Sequence, residues 1–277
     1  MNDCLDPHDA ISLVPGWDPL QAEIEELKGG LSNRTYLVTY GGERSVLRLD
    51  IEDTNVVRFD RSYELSIMQV AHDAGIGPEV MFADSDRGIL LTRFLPGRTW
   101  NTDDMKSGEQ LGRLARLLRL VHSLPTCGKL VNYPKEAAAY ERFLSQRESL
   151  NTFASRCVEI VRETPDRGVV ACCHNDIIAG NVIDNGDLKL IDWEYALDND
   201  PLFDIACAIA FHDLDERHSA ILLDTYVGGA GVDERERLAE QQLTCDALHW
   251  LWFAARQAVS PDGLQARHME RLQQRIH

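Results

Sequence analysis

The chain has 277 residues, 44% of them apolar and 26% charged, an ordinary globular composition that excludes a disordered or fibrous protein and leaves room for one large domain or two modest ones. Lys and Arg number 28 against 45 Asp and Glu, and the resulting net charge of −17 disfavours nucleic acid and anionic membrane surfaces as partners while attracting cations. Seven cysteines without a spacing framework read as reduced thiols, the acidic opening MNDCLDPHDA is no signal peptide, and no window reaches the length of a membrane span; a cytoplasmic protein with no membrane partner is expected.

In chain order, a short helix is expected around residues 19–24. Three strands follow in residues 25–50 (EELKGG, RTYLVTY and RSVLRL), with Gly41-Gly42 as a turn. Apolar positions at helical spacing (Phe59, Tyr63, Ile67, Val70, Ala71) predict a helix over residues 55–73, and VMFAD with GILLTRFL predicts a second hairpin turning at residues 85–88. Pro96-Gly97 marks a change from strand-rich to helix-rich sequence, so residues 1–95 are read as a nucleotide-binding lobe and 96–277 as a catalytic and substrate-binding lobe. Helical periodicity covers residues 103–123, 135–150 and 153–162. VID and LKLID then form a hairpin across Asn185-Gly186, read as a type I′ turn, and helices resume at Pro201.

The segment from His174 to Asp204 carries the chemistry. Asp176 is followed after five residues by Asn181 and after eleven more by Asp192, the spacing of a catalytic loop that runs into a metal-binding strand end. Asp176 suits a base that takes the proton of a substrate hydroxyl. Asn181 and Asp192 return to the same end of the hairpin as a neutral and a charged oxygen ligand, a sufficient protein set for Mg2+. An isolated H-x-D or D-x-x-x-x-N arises by chance, but loop, turn and I-D-W-E-Y ending together point to ATP-dependent phosphotransfer. Glu194 offers a further oxygen for a second metal or for substrate.

This segment and GGLSNRTYLV in the N-terminal half resemble the choline/ethanolamine kinases, bacterial thiamine kinases and aminoglycoside phosphotransferases, most of all the bacterial choline kinase branch. The resemblance extends over nearly the whole chain. It implies an α+β, bilobal protein-kinase-like fold with a small antiparallel-sheet N-lobe and a mostly helical C-lobe, ATP and Mg2+ as cofactors, Asp176 as catalytic base, and Asn181 and Asp192 as metal ligands. Gly29, Gly30, Ser32 and Asn33 then belong to the loop over the triphosphate, although Gly-Gly between strands also reads as a plain turn. Arg48 stands where such folds commonly carry a phosphate-contacting lysine, with Val46 on the same strand face above the adenine and Glu64 as its ion-pair partner; a solvent-facing arginine and an exposed helix glutamate are the alternatives. Adenine is expected on the backbone of residues 92–95, which include Thr92 and Phe94. His174 and Asp204 read as braces of the loop.

For the acceptor, the resemblance implies aromatic residues on the late helix ALHWLWFAARQ. Trp250 and Phe253 share one face there and suit a cation through their rings, though packing into the core fits equally well. Trp193 and Tyr195 extend the same wall, with Asp176, Glu194, Asp198 and Asp200 supplying negative charge unless the last two cap the next helix. The expected substrate is a small cationic alcohol, choline or ethanolamine, with thiamine next and an aminoglycoside after it. A nucleotide-binding pseudokinase is the reading of a different class, opposed by the presence of all three polar residues.

Overall fold

The computed structural model describes residues 5–27, 33–51, 56 and 61–276. Helix α1, Pro7–Ser12, starts where the Asp6 carboxylate accepts the His8 amide at 2.8 Å and Pro7 presets the first turn. The helix expected at 19–24 is only a single 3₁₀ turn, Pro19–Gln21, capped by Asp18. Ile24 instead belongs to strand β1, Glu23–Leu27, whose pairing with β2, Asn33–Tyr40, outweighs local helical preference. Strand β3 is Glu43–Asp50 and helix α2 is Arg61–Asp73; β4, Val80–Asp84, and β5, Ile89–Arg93, form the second hairpin. The five strands make one antiparallel sheet in the order β1-β2-β3-β5-β4. Alternation along β3 sends Ser45, Leu47 and Leu49 into a core closed by α1, and turns Val46, Arg48 and Asp50 to the opposite face.

After the connector, strand β6, Arg98–Thr99, is stitched to the catalytic hairpin, and Gly97 makes that possible. Its φ is 149°, and a Cβ there would lie 2.8 Å from the Asp184 carbonyl oxygen. The helix expected at 103–123 is broken into α3, Thr102–Met105, and α4, Gly108–His122, because Asn101 with Asp104 and then Ser107 provide two separate caps. Helix α5 is Tyr133–Leu144 and α6 is Glu148–Glu163, so the break falls before, not after, residue 150.

Strand β7, Ala171–Cys173, leads into the loop, and β8, Val182–Asp184, pairs with β9, Leu188–Leu190. Three residues turn this hairpin. Gly186 has φ 107° but Asn185 does not lie at positive φ, whereas a type I′ turn needs both central residues there. Strand β10, Leu197–Asn199, pairs back to β7. Helices α7 (Leu202–His212), α8 (Glu216–Val227), α9 (Val232–Val259) and α10 (Gly263–Ile276) complete the chain, with α9 packed against α5, α6, α7 and α10. Ile67, Met68 and Ala71 of α2 join the large helical core, so the sheet and the helices are tied through α2 as well as through the connector. No described helix is long and apolar enough to cross a membrane.

Candidate active site between sheet and helices

The loop after β7 is held from behind by one carboxylate. Asp204, with no exposure, opens α7 and accepts the His174 amide at 2.9 Å and the Asn175 amide at 2.6 Å, while His122 Nε2 lies 2.9 Å from it. Asn175 sits in the left-handed region at φ 62°; its side chain donates to the carbonyls of Tyr195 and Leu197 and accepts from Asn199 at 2.7 Å. His174 Nε2 donates to the Ile191 carbonyl at 3.0 Å and the ring packs on Trp193; burial pushes its pKa down, so it stays neutral. Both residues therefore act as braces. A third brace was not foreseen: the Ala179 amide donates to His212 Nε2 at 3.0 Å, which requires a neutral ring, and burial pushes that pKa down to about 4.

Asp176 points forward from this loop. Asn181, at the end of a 3₁₀ turn, donates through Nδ2 to Asp176 Oδ2 at 2.9 Å and to the Asp176 carbonyl at 3.0 Å. The Ile191 amide returns to the Asn181 carbonyl at 3.0 Å, and this carries Asp192, at φ 64°, to the same end of the hairpin as Asn181. Burial first, then the Asp192 charge, pushes the Asp176 pKa up to about 7. Asp192 Oδ1 is buried without a hydrogen-bond donor, 3.6 Å from Arg48 Nη1, and burial pushes this carboxyl up as well.

Opposite the hairpin, Arg48 meets Glu64 in a two-pronged pair, Nη1 to Oε1 at 2.5 Å and Nη2 to Oε2 at 2.8 Å. Glu64 is 2% exposed; burial opposes its charge, but Arg48 and Arg61 more than offset that and hold its pKa down. Burial likewise works against the Arg48 charge, and Glu64 outweighs it, so the guanidinium stays protonated. The exposed-strand and exposed-helix alternatives for these two residues are thereby excluded. Arg61, which sequence reasoning missed, sits at the centre: it reaches Asp50 at 2.8 and 3.0 Å, Glu64 at 2.8 Å and Glu194 at 3.3 Å. The available signal was the R-x-x-E spacing that places Arg61 one turn before Glu64.

Glu194 was expected at the acceptor; in the free protein its carboxylate is engaged with the sheet side. Its Oε2 accepts Asn33 Nδ2 at 2.9 Å and faces Arg61, so it ties the helical part to the sheet; burial and Asp192 push its pKa up to about 7. Asn33 is thus placed at the edge of the site, whereas Gly29, Gly30 and Ser32 lie outside the described residues. Val46 and Thr92 are cross-strand partners on the face that carries Arg48. In the connector, the Arg93 and Phe94 amides already donate to Glu79 and Arg44 carbonyls, so neither is left for adenine; the Phe94 ring carries the Arg44 guanidinium 3.8 Å above it.

Most of the expected aromatic wall is core. Trp193 and Trp250 are fully buried, the first donating to the Leu190 carbonyl at 3.1 Å and the second packed on Phe153; Phe253 is buried and stacks on His268. Tyr195 alone of the four is half-buried, close enough to Asp176 to feel its charge. Asp198 accepts the Cys127 and Gly128 amides, and Asp200 accepts the Leu202 amide and pairs with Arg237, so both are structural. One α9 residue not singled out before acts on Asp176: His249, whose pKa is raised to about 9, since Cys245 and Asp176 outweigh the opposing effect of burial.

A two-part fold with an antiparallel sheet, a helical remainder and acidic and amide oxygens converging between them defines a kinase-like phosphotransferase. The sequence matches the family described as "Phosphotransferase enzyme family" over residues 23–240, and the chain belongs to that family. It is similar to Protein LicA of Haemophilus influenzae, 29% identical over 72% of this chain and 61% of that protein, so it spans less than two thirds of that relative. It is 28% identical to Probable choline kinase 1 of Arabidopsis thaliana, over 83% of this chain and 78% of the relative. Among solved structures, a choline/ethanolamine kinase family protein from Mesorhizobium loti superposes with a TM-score of 0.75 at 23% identity, covering 97% of this chain and 92% of that one.

Proposed function

We propose that the chain transfers the γ-phosphoryl group of ATP to the hydroxyl of a small ammonium-bearing alcohol of the choline or ethanolamine class, acting in the cytoplasm. The observation that carries the reading is the convergence of Asp176, Asn181 and Asp192 at one end of the hairpin, facing the Arg48–Glu64 pair. Asp176 takes the hydroxyl proton as the oxygen attacks the γ-phosphorus and the bond to ADP breaks; a pKa near 7 suits that task. Arg48, fixed by Glu64, presents charge to the α and β phosphates. Val46, Thr92 and Phe94 border the adenine, and Asn33 follows the loop of Gly29, Gly30 and Ser32 over the triphosphate.

The residues present fit a hard divalent cation. Asp192 Oδ1 is buried without a donor, and Asn181 uses its amide N–H groups on Asp176, which leaves its oxygen for a ligand. Asn181 and Asp192 would hold Mg2+, which when bound neutralises phosphate charge. The names of the relatives, LicA aside, support the amino-alcohol class; thiamine is the second reading, favoured by thiamine kinases of Salmonella at 26% identity. The test is Asp176→Asn in an ADP-release assay. A fall in kcat of about 10³-fold or more, with the KM for ATP within about threefold, is expected for loss of the base and its placement. An unchanged rate overturns the assignment.

A further inference from the structure

Two helix faces lie beside the loop that carries Asp176. On α5, Tyr133, Glu136 and Tyr140 recur at helical spacing; the Tyr133 hydroxyl reaches Asn175 Oδ1 at 3.4 Å, and Tyr140 lies close to Tyr195. On α9, which packs against α5, His249, Trp252 and Arg256 share a face in the same way. His249 and Asp176 feel each other's charge, and Arg256 lies within reach of Tyr195. Tyr195 joins the two faces.

Each face carries an ionisable group with no hydrogen-bonding partner for its side chain among the described residues. Among the described residues no hydrogen-bond donor reaches Glu136, which is half-buried beside Tyr140 and has Lys129 and Lys135 only as distant charges. Arg256 is the more telling case: its Nε and Nη1 are both cut off from water and neither finds an acceptor. Other buried arginines of this protein, Arg48, Arg237 and Arg275, leave Nε unpaired but spend their terminal nitrogens on carboxylates. A buried donor left without an acceptor is expensive, so two on one guanidinium are explained most simply by an anion that the free protein lacks. Arg256 also covers the Trp252 ring, 5.0 Å from its centroid, and thereby takes the position over that ring that a quaternary ammonium would need. An ammonium is left with Glu136, Tyr140 and Tyr195.

We propose that the acceptor is a zwitterionic alcohol, a hydroxy amino acid whose carboxylate is held by Arg256 and whose ammonium is held by Glu136. The inference rests on the alcohol-kinase reading for the transfer itself and departs from the choline or ethanolamine class at the acceptor: the substrate bears an anion as well as the cation.

Matched pairs that differ only by the carboxylate test this directly: L-serine against ethanolamine and L-homoserine against 3-aminopropanol, with choline added, each measured as kcat/KM by ADP release. The wild-type chain is expected to favour the carboxylate member of at least one pair by about tenfold or more, the scale of a charge-assisted contact. In Arg256→Gln that preference ratio falls at least about tenfold, and Arg256→Lys, which keeps the charge, recovers part of it; a merely structural arginine would lower both members alike and leave the ratio unmoved. Thermal melts of the variants confirm folding. Equal or better turnover of choline or of the decarboxylated members by the wild type overturns this inference while leaving the kinase reading intact. No phosphorylation of any of the five alcohols overturns both.

Discussion

Arg48 and Glu64 show how much a pair can constrain a site. The carboxylate is 2% exposed and accepts from two guanidinium groups, Arg48 and Arg61, so its charge depends wholly on them. Removing one partner of a buried, hydrogen-bonded ion pair costs about 3–5 kcal/mol, because the other charge is stranded. Arg48→Ala should therefore lower the melting temperature markedly in calorimetry, and the double variant Arg48→Ala/Glu64→Ala should recover part of the loss. An additive double variant would show that the two do not stabilise the fold as a pair. Strand alternation put Val46 and Arg48 on one face in sequence, and Glu64 was expected as the partner of Arg48 from the family resemblance. Arg61 was not legible, since nothing in R-S-Y-E tells that its three carboxylate neighbours come from three separate segments.

The loop from His174 to Asn181 works as an element because its backbone donors are satisfied from behind, by Asp204 at one end and His212 at the other. His212 yields a pH prediction. Its folded pKa, about 4, lies below the unfolded value near 6.5, so the unfolded chain binds more protons between the two; stability is full above about pH 6.5 and declines as pH falls toward 4. The loss from this residue amounts to roughly 3 kcal/mol at most. Urea titrations at pH 7 and pH 4.5 should show a smaller acid-induced loss in His212→Gln than in wild type, and an identical loss in both would remove His212 from that role. Sequence reading found Asp204 through its place at the start of a helix after Pro201. It could not find His212, because the partner is a backbone amide 33 residues away that only the packing of α7 against the loop supplies.

Across the whole molecule, the sheet and the helices meet at Asn33, Arg61 and Arg48 on one side and at Glu194 and Asp192 on the other. This polar tie passes through the residues proposed to face the nucleotide, so nucleotide binding and the relative placement of the two parts are expected to be linked. Asn33→Ala removes one contact to Glu194 without stranding a charge, and should raise the KM for ATP by about three- to tenfold, the scale of one charge-assisted hydrogen bond, with little change in melting temperature. A KM within error of wild type would show that this link does not serve nucleotide binding. α9 holds the other lesson at this scale. Neighbours on four sides bury it nearly all round between residues 244 and 255, so its sequence has no clear period to say which aromatic faces the site. Trp250 and Phe253 were the reasonable expectation, yet both serve the core, whereas His249 lies near Asp176 and Arg256 near Tyr195.

By itself the sequence determined the strand and helix order of the N-terminal sheet, the phosphotransferase class, and the placement of Asp176, Asn181 and Asp192 about one hairpin end. Those features are local: they follow from turn chemistry, alternation and short spacings along the chain. What only the tertiary structure decided are the partners of charged groups and the orientation of aromatic ones. Glu194 turned to the sheet side, Trp193 went into the core, and Arg256 was left with two buried donors unpaired. Each of these outcomes depends on which distant segment arrives beside the residue, and for buried charges that arrival decides the free energy.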